Sequence, residues 1–164
     1  MLNHPTTEQL NHHADYAWLR GFSMVPSWGA RIEQAWWDYH PERMREEVAL
    51  ARRVHANCIR LWIEFSAWMA APDRVTAYFH DAVTAIAAAG MKTMPCLFNR
   101  WHDQDWDYGG TCTEHLYRHW EPMLEYVRAF VQPFAGDDRV LLWDLCNEPQ
   151  AQDTASDVNR REVA

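Results

Sequence analysis

Apolar residues along the chain gather into four short runs that are typical of buried β-strands. Each run is rich in aliphatic and aromatic residues and is bounded by polar or turn residues. The predicted strands cover residues 21–25, 58–65, 92–99 and 139–146. Their first residues are separated by roughly 35 to 45 positions, which is enough for a strand, a crossover helix and two loops. The pattern therefore predicts strands that run parallel.

The segments between these strands carry apolar residues at helical spacing. Pro41 stands at the first helical position of one segment, and Gly90 is a natural stop at the end of the next. The predicted helices and their apolar stripes are residues 41–55 with Met44, Val48, Ala51 and Val54; residues 72–89 with Val75, Phe79, Val83 and Ile86; and residues 116–134 with Trp120, Leu124, Val127 and Val131.

Alternation of strands with helices predicts an α/β fold with a parallel sheet, either doubly wound or closed into a barrel. No G-x-G-x-x-G sequence follows the first strand, and no Walker sequence occurs. Because these signatures of doubly wound nucleotide-binding sheets are missing, we favour the first four βα units of a (β/α)8 TIM barrel. Residues 1–164 are predicted to form a single domain with its core at residues 18–150.

The charge and hydropathy of the chain argue against nucleic acid as a partner and against a membrane-spanning segment. The net charge is −8, from 15 basic and 23 acidic residues, and the basic residues are scattered, which argues against nucleic acid. No apolar run is long enough to span a membrane. Residues 1–10 have neither the basic start nor the apolar stretch of a secretory signal. We therefore expect a cytoplasmic chain, or a secreted one if the true N-terminus lies further upstream.

Cysteine spacing suggests neither zinc nor a disulfide framework. Cys58, Cys96, Cys112 and Cys146 lie far apart and form no C-x-x-C pair. Three of them fall in apolar runs, so we expect small buried side chains that stay reduced. The acidic residues Asp103, Asp105, Asp107 and Glu114 approach the spacing of a calcium-binding loop, but Tyr108 occupies the position that requires glycine. A solvated acidic loop is the preferred interpretation, and no metal or cofactor is predicted.

Tryptophan is unusually abundant. The chain has ten tryptophans, and several stand in polar, loop-like contexts, where flat aromatic faces suit the stacking of sugar rings. Tryptophan also fills cores and protein interfaces, so this signal alone is weak. The tryptophans in such contexts are Trp28, Trp36, Trp37, Trp68, Trp101 and Trp106.

Polar residues follow each predicted strand at its carboxyl end, the edge at which parallel α/β folds hold their reactive groups. The sharpest case is the stretch 143–149, W-D-L-C-N-E-P, where an apolar strand leads directly into Asn147 and Glu148. A carboxyl group held there among aromatic residues can have the raised pKa that a general acid needs. Other candidates at this edge are Glu64, Asn99, Trp101 and His102.

The W-D-L-x-N-E-P stretch at the fourth strand, together with N-C-I-R-L at 57–61, resembles the retaining β-glycosidases of clan A, and most closely glycoside hydrolase family 5. Residues 97–101 and 107–110, L-F-N-R-W and D-Y-G-G, are similar to the third-strand loop of β-mannanases in that group. The resemblance covers about residues 18–150, the N-terminal half of such an enzyme. It implies a glycosidase acting on β-linked polysaccharides or oligosaccharides, of the cellulase or mannanase type.

The resemblance also implies residue roles. Glu148 would be the general acid/base, and Asn147 would bind the sugar 2-hydroxyl. Arg60 would lie beneath the sugar and hold the nucleophilic carboxylate ionised. Alternatively, Glu148 is a strand-end cap and Arg60 forms an ordinary ion pair with Glu64 or Asp144. The further candidates for contacting sugar are Trp28, Asn99, Trp101, His102 and Trp106.

One departure from the family is large. Retaining hydrolysis needs a second carboxylate about 5 to 5.5 Å from the first, and in this clan it lies at the end of the seventh strand. Residues 1–164 supply four predicted strands, so we expect the isolated chain to be inactive. Glu64 is a poor substitute, since the family gives no support for it. The alternative is a half-barrel that binds carbohydrate without catalysis or that associates with another chain, or with itself, through exposed sheet edges.

Overall fold

A computed structural model describes residues 17–99 and 120–147. Its strands are β1 (Gly21–Met24), β2 (Cys58–Trp62), β3 (Lys92–Asn99) and β4 (Asp144–Asn147). Between β1 and β2 lie helices α1 (Ile32–Trp37) and α2 (Pro41–Arg53), and between β2 and β3 lie α3 (Phe65–Ala70) and α4 (Pro72–Ala88). Helix α5 (Trp120–Val131), followed by one 3-10 turn (Gln132–Phe134), precedes β4.

The four strands form one parallel sheet in the order β1-β2-β3-β4. Each strand therefore lies beside the next one along the chain, with helices in the crossovers, as in the first four units of a (β/α)8 barrel. The parallel α/β prediction is confirmed. Among the described residues, no helix has the length and apolar character that crossing a membrane requires.

Two of the predicted strands are longer than the strands in the structure, β2 and β4. The β2 ladder ends at Trp62, and Phe65 already begins a helix, so residues 63–65 are not strand. Residues 139–143 are also outside the β4 strand. There the chain makes one bridge, in which Thr93 bonds to the backbone of Arg139 and Leu141, before the continuous ladder starts at Asp144. Apolar composition alone does not reveal where pairing stops.

Helix α4 buries the predicted stripe in full, since Val75, Phe79, Val83 and Ile86 are all solvent-inaccessible. On α2 the prediction is wrong for Val54, which is 68% exposed. The helix ends at Arg53, and the left-handed backbone of His55, with φ of 59°, turns the chain away.

The predicted stripe of α5 is only partly correct. Val127 and Val131 pack against the core without forming its centre, and the side chain of Trp120 lies outside the described residues. The side chains buried there are Met123, Tyr126 and Phe130, whereas Leu124 and Val127 are only half-buried. The larger rings decide the orientation, because Tyr126 and Phe130 pack edge-on against each other at 4.9 Å and insert among the aromatic residues of α4 and β3.

Helices α1 and α3, six residues each, were not predicted, since so short a segment has little periodicity. They bring Trp36 and Trp68 into the core, which corrects the interpretation of these tryptophans as loop residues. Both indole N–H groups have acceptors: the Trp36 N–H donates to the carbonyl of Trp62 at 2.9 Å, and the Trp68 N–H to the hydroxyl of Thr76 at 3.2 Å. Trp37 remains 45% exposed.

Candidate functional site

The carboxyl ends of the strands meet at one edge of the sheet, where β4 ends at Asn147 beside Asn99 of β3. Of the predicted site residues, Arg60, Asn147 and Trp28 are described with their side chains, and Asn99 by its backbone. The predicted acid/base Glu148 and the candidates Trp101, His102 and Trp106 lie outside the described residues. Their roles stay predictions.

Strand register gathers several polar side chains on one face of the sheet. Ser23 is paired with Arg60, and Cys96 is paired with both Trp62 and Asp144. Because paired positions point to the same face, these residues lie together. The alternate residues of β2, Ile59 and Leu61, face the other way and join the core formed with the helices.

Arg60 is the centre of this polar group. Its Nε and Nη2 both donate to one carboxylate oxygen of Asp144, at 2.7 and 2.5 Å. Its Nη1 donates to the hydroxyl of Ser23 at 3.2 Å. The two charged side chains are 17% and 24% exposed, so the pair is largely shielded from solvent. Asp144 is one of the two partners named in the alternative interpretation, in which Arg60 forms an ion pair. The role of Arg60 beneath the sugar stays a prediction.

Arg60 also contacts Asn147, the residue that precedes Glu148. Its Nη2 donates to the side-chain oxygen of Asn147 at 3.1 Å. A guanidinium group has donors and no acceptors, so the oxygen of the amide, and not its nitrogen, must face it. The contact therefore fixes which way the Asn147 amide points. Two side chains named from the sequence as sugar-binding candidates are thus in direct contact.

Two further neighbours support Arg60 and were not found from the sequence. The thiol of Cys96 accepts a hydrogen bond from Nη2 at 3.2 Å, and the Trp62 ring lies 5.0 Å below the guanidinium carbon. Burial, followed by the nearby charge of Asp144, raises the pKa of Cys96 to about 12, so the thiol stays protonated. The register of β2 against β3 would have identified both residues, because it pairs Cys96 with Trp62 on the face that carries Arg60. The sequence alone does not give this register.

Glu64 lies at the junction of β2 and α3 and is 1% exposed. Burial and, to a smaller extent, the negative charge of Glu64 raise the pKa of Tyr126 well above the usual range. The hydroxyl of Tyr126 donates to the carbonyl of Leu97 at 2.7 Å. Glu64 is therefore enclosed beside the aromatic core at the same end of the sheet.

Trp28 packs onto the helical layer that follows β1. Its indole N–H donates to the carbonyl of Ala35 at 2.9 Å, and its ring makes edge-on contacts with Tyr39 and His40 at 6.0 Å. The side chain is half-buried. These contacts explain its position without a ligand, and its predicted contact with sugar is still untested.

The described ranges, 17–99 and 120–147, contain no group of three or more His, Cys, Asp or Glu side chains that could hold a metal. The acidic residues 103–114 lie outside these ranges. Cys58 and Cys96 are buried, as expected, and burial raises the pKa of both thiols. Cys146 is only half-buried, so the expectation of a buried side chain is wrong for this residue.

Comparison with known proteins identifies one family. A model of the family described as cellulase (glycosyl hydrolase family 5) matches residues 12–163. Searches of curated proteins and of solved structures returned no significant match. The family match spans nearly all of the 164 residues, and the parallel strands with polar groups at their carboxyl ends agree with it. The chain belongs to glycosyl hydrolase family 5, the cellulase family.

Proposed function

We propose that the chain supplies the acid/base side of a retaining β-glycosidase that hydrolyses O-glycosyl bonds of β-linked polysaccharides or oligosaccharides. Membership of family 5 supports a glycoside hydrolase with a carbohydrate substrate. The observation that carries the proposal further is the contact between Arg60 and Asn147. It holds an amide in one orientation at the carboxyl edge of the sheet, next in sequence to Glu148.

The proposed roles follow from the chemistry of glycoside hydrolysis. Glu148 protonates the glycosidic oxygen as the bond breaks and then activates the water that releases the sugar. Asn147 donates from its amide nitrogen to the sugar 2-hydroxyl, a contact that strengthens in the transition state. The sugar lies above Arg60, among the aromatic candidates Trp28, Trp101 and Trp106, with Asn99 and His102 nearby.

A second carboxylate is required about 5 to 5.5 Å from the first. Glu64 does not suit this role, since it is enclosed in the aromatic core. We propose that the nucleophile comes from outside the four βα units, and that residues 1–164 by themselves bind carbohydrate without turnover. The third-strand loop favours a mannan, with glucan and xylan as the other candidates.

Titration with manno-, cello- and xylo-oligosaccharides, followed by calorimetry, tests the binding step. Asn147→Ala should weaken binding about tenfold, as expected for the loss of one well-placed hydrogen bond. Asn57→Ala is the matched control. Asn57 directly precedes β2, at the amino ends of the strands, where its side chain bonds to the backbone of Arg20 and Trp18. Equal losses in the two variants, or no binding of any β-linked sugar by the wild-type chain, would contradict the proposal.

Hydrolysis of aryl β-glycosides tests the catalytic step. The 164-residue chain should give no turnover above background. Turnover that disappears in Glu148→Gln would place both required groups within the chain, and would overturn the proposal that the nucleophile is external. Turnover that survives in Glu148→Gln would overturn the acid/base assignment as well.

A second candidate function is association through the open side of the sheet, with itself or with a partner chain. Within the described residues, β1 pairs with β2 alone, and a groove between β1 and α2 is lined by partly exposed apolar side chains. Phe22 is 42%, Leu50 55% and Val54 68% exposed. An apolar strip of this kind beside an unpaired strand edge favours protein contact.

Sedimentation velocity over a range of concentrations tests this association. Leu50→Glu should shift the chain towards monomer, because it places a charge in the groove. Met69→Glu is the control, since Met69 is also exposed but lies on α3. If wild type is monomeric throughout, the association proposal is wrong.

A further inference from the structure

We propose that Asp144 is a positioning residue for sugar recognition: by holding Arg60, it fixes the orientation of the Asn147 amide. The inference rests on the proposed function, because it concerns the residue there assigned to the sugar 2-hydroxyl. The inference adds Asp144 to that site as a residue that acts indirectly. Asp144 acts through Arg60 and needs no contact with the sugar.

The geometry of the guanidinium group is the first step of the argument. Arg60 and Asn147 lie on β2 and β4, with β3 between them, so the arginine must extend across a strand to make the contact. Asp144 holds it there because one of its carboxylate oxygens accepts hydrogen bonds from both Nε and Nη2 of Arg60. Charge-assisted bonds of this kind are stronger than neutral ones, so Asp144 contributes more to the position of Arg60 than Ser23 or Cys96 does.

The orientation of the amide is the second step. The same Nη2 that donates to Asp144 also donates to the side-chain oxygen of Asn147. With the oxygen committed to Arg60, the amide nitrogen points the other way and is the group that can donate to a hydroxyl. A loosened Arg60 would hold the oxygen less firmly, so the amide nitrogen would point towards the sugar in a smaller fraction of the molecules.

The environment of Asn147 is the third step. Asn147 is 8% exposed, so water cannot readily take the place of the Arg60 donor. The Trp62 ring stacks below the guanidinium and blocks movement of Arg60 towards that side. It does not fix how the guanidinium is rotated within its own plane. Asp144 is therefore the contact that sets where Nη2 lies.

The test is made first without ligand, on the complete 164-residue chain labelled with ¹⁵N. The Asp144→Asn variant should shift the Nε–H resonance of Arg60, which senses the Trp62 ring, and should move or broaden the Asn147 side-chain amide pair. Asp81→Asn is the matched control, because Asp81 also pairs with an arginine, Arg45, at 2.8 Å but belongs to α4. Unchanged Asn147 resonances in Asp144→Asn, or the same changes in Asp81→Asn, would overturn the inference.

Arg60→Lys provides an independent variant if Asp144→Asn does not fold. A lysine keeps the charge opposite Asp144 but lacks the forked donors, so one ammonium cannot reproduce the contacts to Asp144 and Asn147 together. The Asn147 amide pair should change as in Asp144→Asn. Retention of the wild-type amide resonances in Arg60→Lys would overturn the inference.

The second measurement adds a β-linked oligosaccharide and its 2-deoxy analogue. Asp144→Asn should weaken binding of the first about tenfold, the loss expected for one well-placed hydrogen bond, and leave the analogue almost unaffected. Equal weakening of both would reduce Asp144 to a structural role. If the wild-type chain binds neither sugar, the proposed function fails, while the ligand-free comparison still decides whether Asp144 orients Asn147.

Discussion

The thiol of Cys96 lies 3.2 Å from Nη2 of Arg60, on the strand that separates Arg60 from its partner Asp144. Register places Cys96 beside Asp144 on one side and beside Trp62 on the other. The ion pair between β2 and β4 therefore passes over a small side chain. A larger residue at this position would occupy the path of the arginine.

Replacement of Cys96 by leucine should displace Arg60 and lower the free energy of unfolding by about 1 to 3 kcal/mol, the usual cost of overpacking. Cys96→Ala, which leaves the path open, should keep the ion pair and lose only the packing of one sulfur atom. Urea unfolding of both variants measures the difference. A leucine variant as stable as the alanine variant would show that Arg60 has another route to Asp144.

Removal of one partner of the Arg60–Asp144 pair should cost more than removal of both. Arg60→Met leaves a largely shielded carboxylate without its main donor, and by analogy with buried pairs it should destabilise the fold by about 2 to 4 kcal/mol. The double variant Arg60→Met, Asp144→Leu removes both charges and should recover most of this loss. Equilibrium unfolding of wild type, the two single variants and the double variant gives the coupling energy. Additive losses would mean that the pair adds nothing to stability.

The hydroxyl of Tyr126 attaches α5 to β3 through the carbonyl of Leu97. Tyr126→Phe removes the donor in a solvent-inaccessible site and should lower the free energy of unfolding by about 1 to 2 kcal/mol. Tyr78→Phe is the comparison, since Tyr78 is half-buried and packs by stacking on Tyr39. It should change stability by less than about 0.5 kcal/mol, as surface changes commonly do. Similar losses in the two variants, measured by thermal unfolding, would contradict the role of the hydroxyl.

Much of the fold follows from the sequence, because β3 and α4 have long, regular apolar patterns. The apolar stripe of α4 is buried throughout, and β3 has the predicted limits. The buried face of α5 was predicted only in part, since spacing cannot tell which of two adjacent stripes carries the rings that fit between α4 and β3. Short helices such as α1 have too few residues for a period to be seen.

For the site, the sequence allowed some of the residues to be named but not the contacts between them. Asn147 could be named because parallel strands bring their carboxyl ends to one edge, whereas Arg60 could be named only from the resemblance of residues 57–61 to family 5. Alternation along β4, however, assigns Asp144 and Asn147 to opposite faces, yet Nη2 of Arg60 reaches both. This contact occurs at the last residue of the strand and depends on the reach of Arg60 across β3. Sequence periodicity contains no information about it.

Stability should fall in mild acid through His80, on α4. Burial and, to a smaller extent, the positive charge of Arg139 lower the pKa of His80, while Asp137 opposes the shift. The ring packs against Phe134 with centroids 4.7 Å apart. The unfolded chain, with a histidine pKa near 6.5, therefore binds a proton at a pH where the folded chain does not. This contribution to stability is complete above about pH 6.5 and is lost as the pH falls towards the folded pKa.

His80→Gln removes this titration, so the free energy of unfolding should depend less steeply on pH just below about 6.5. Urea unfolding at several pH values measures the slope in both proteins. The matched control is the same histidine in urea, whose ring protons should titrate near the unperturbed value, whereas in the folded chain they should titrate at lower pH. A folded-state titration at the value found in urea would mean that His80 contributes nothing to the pH dependence, and one above it would mean that His80 stabilises the fold in acid.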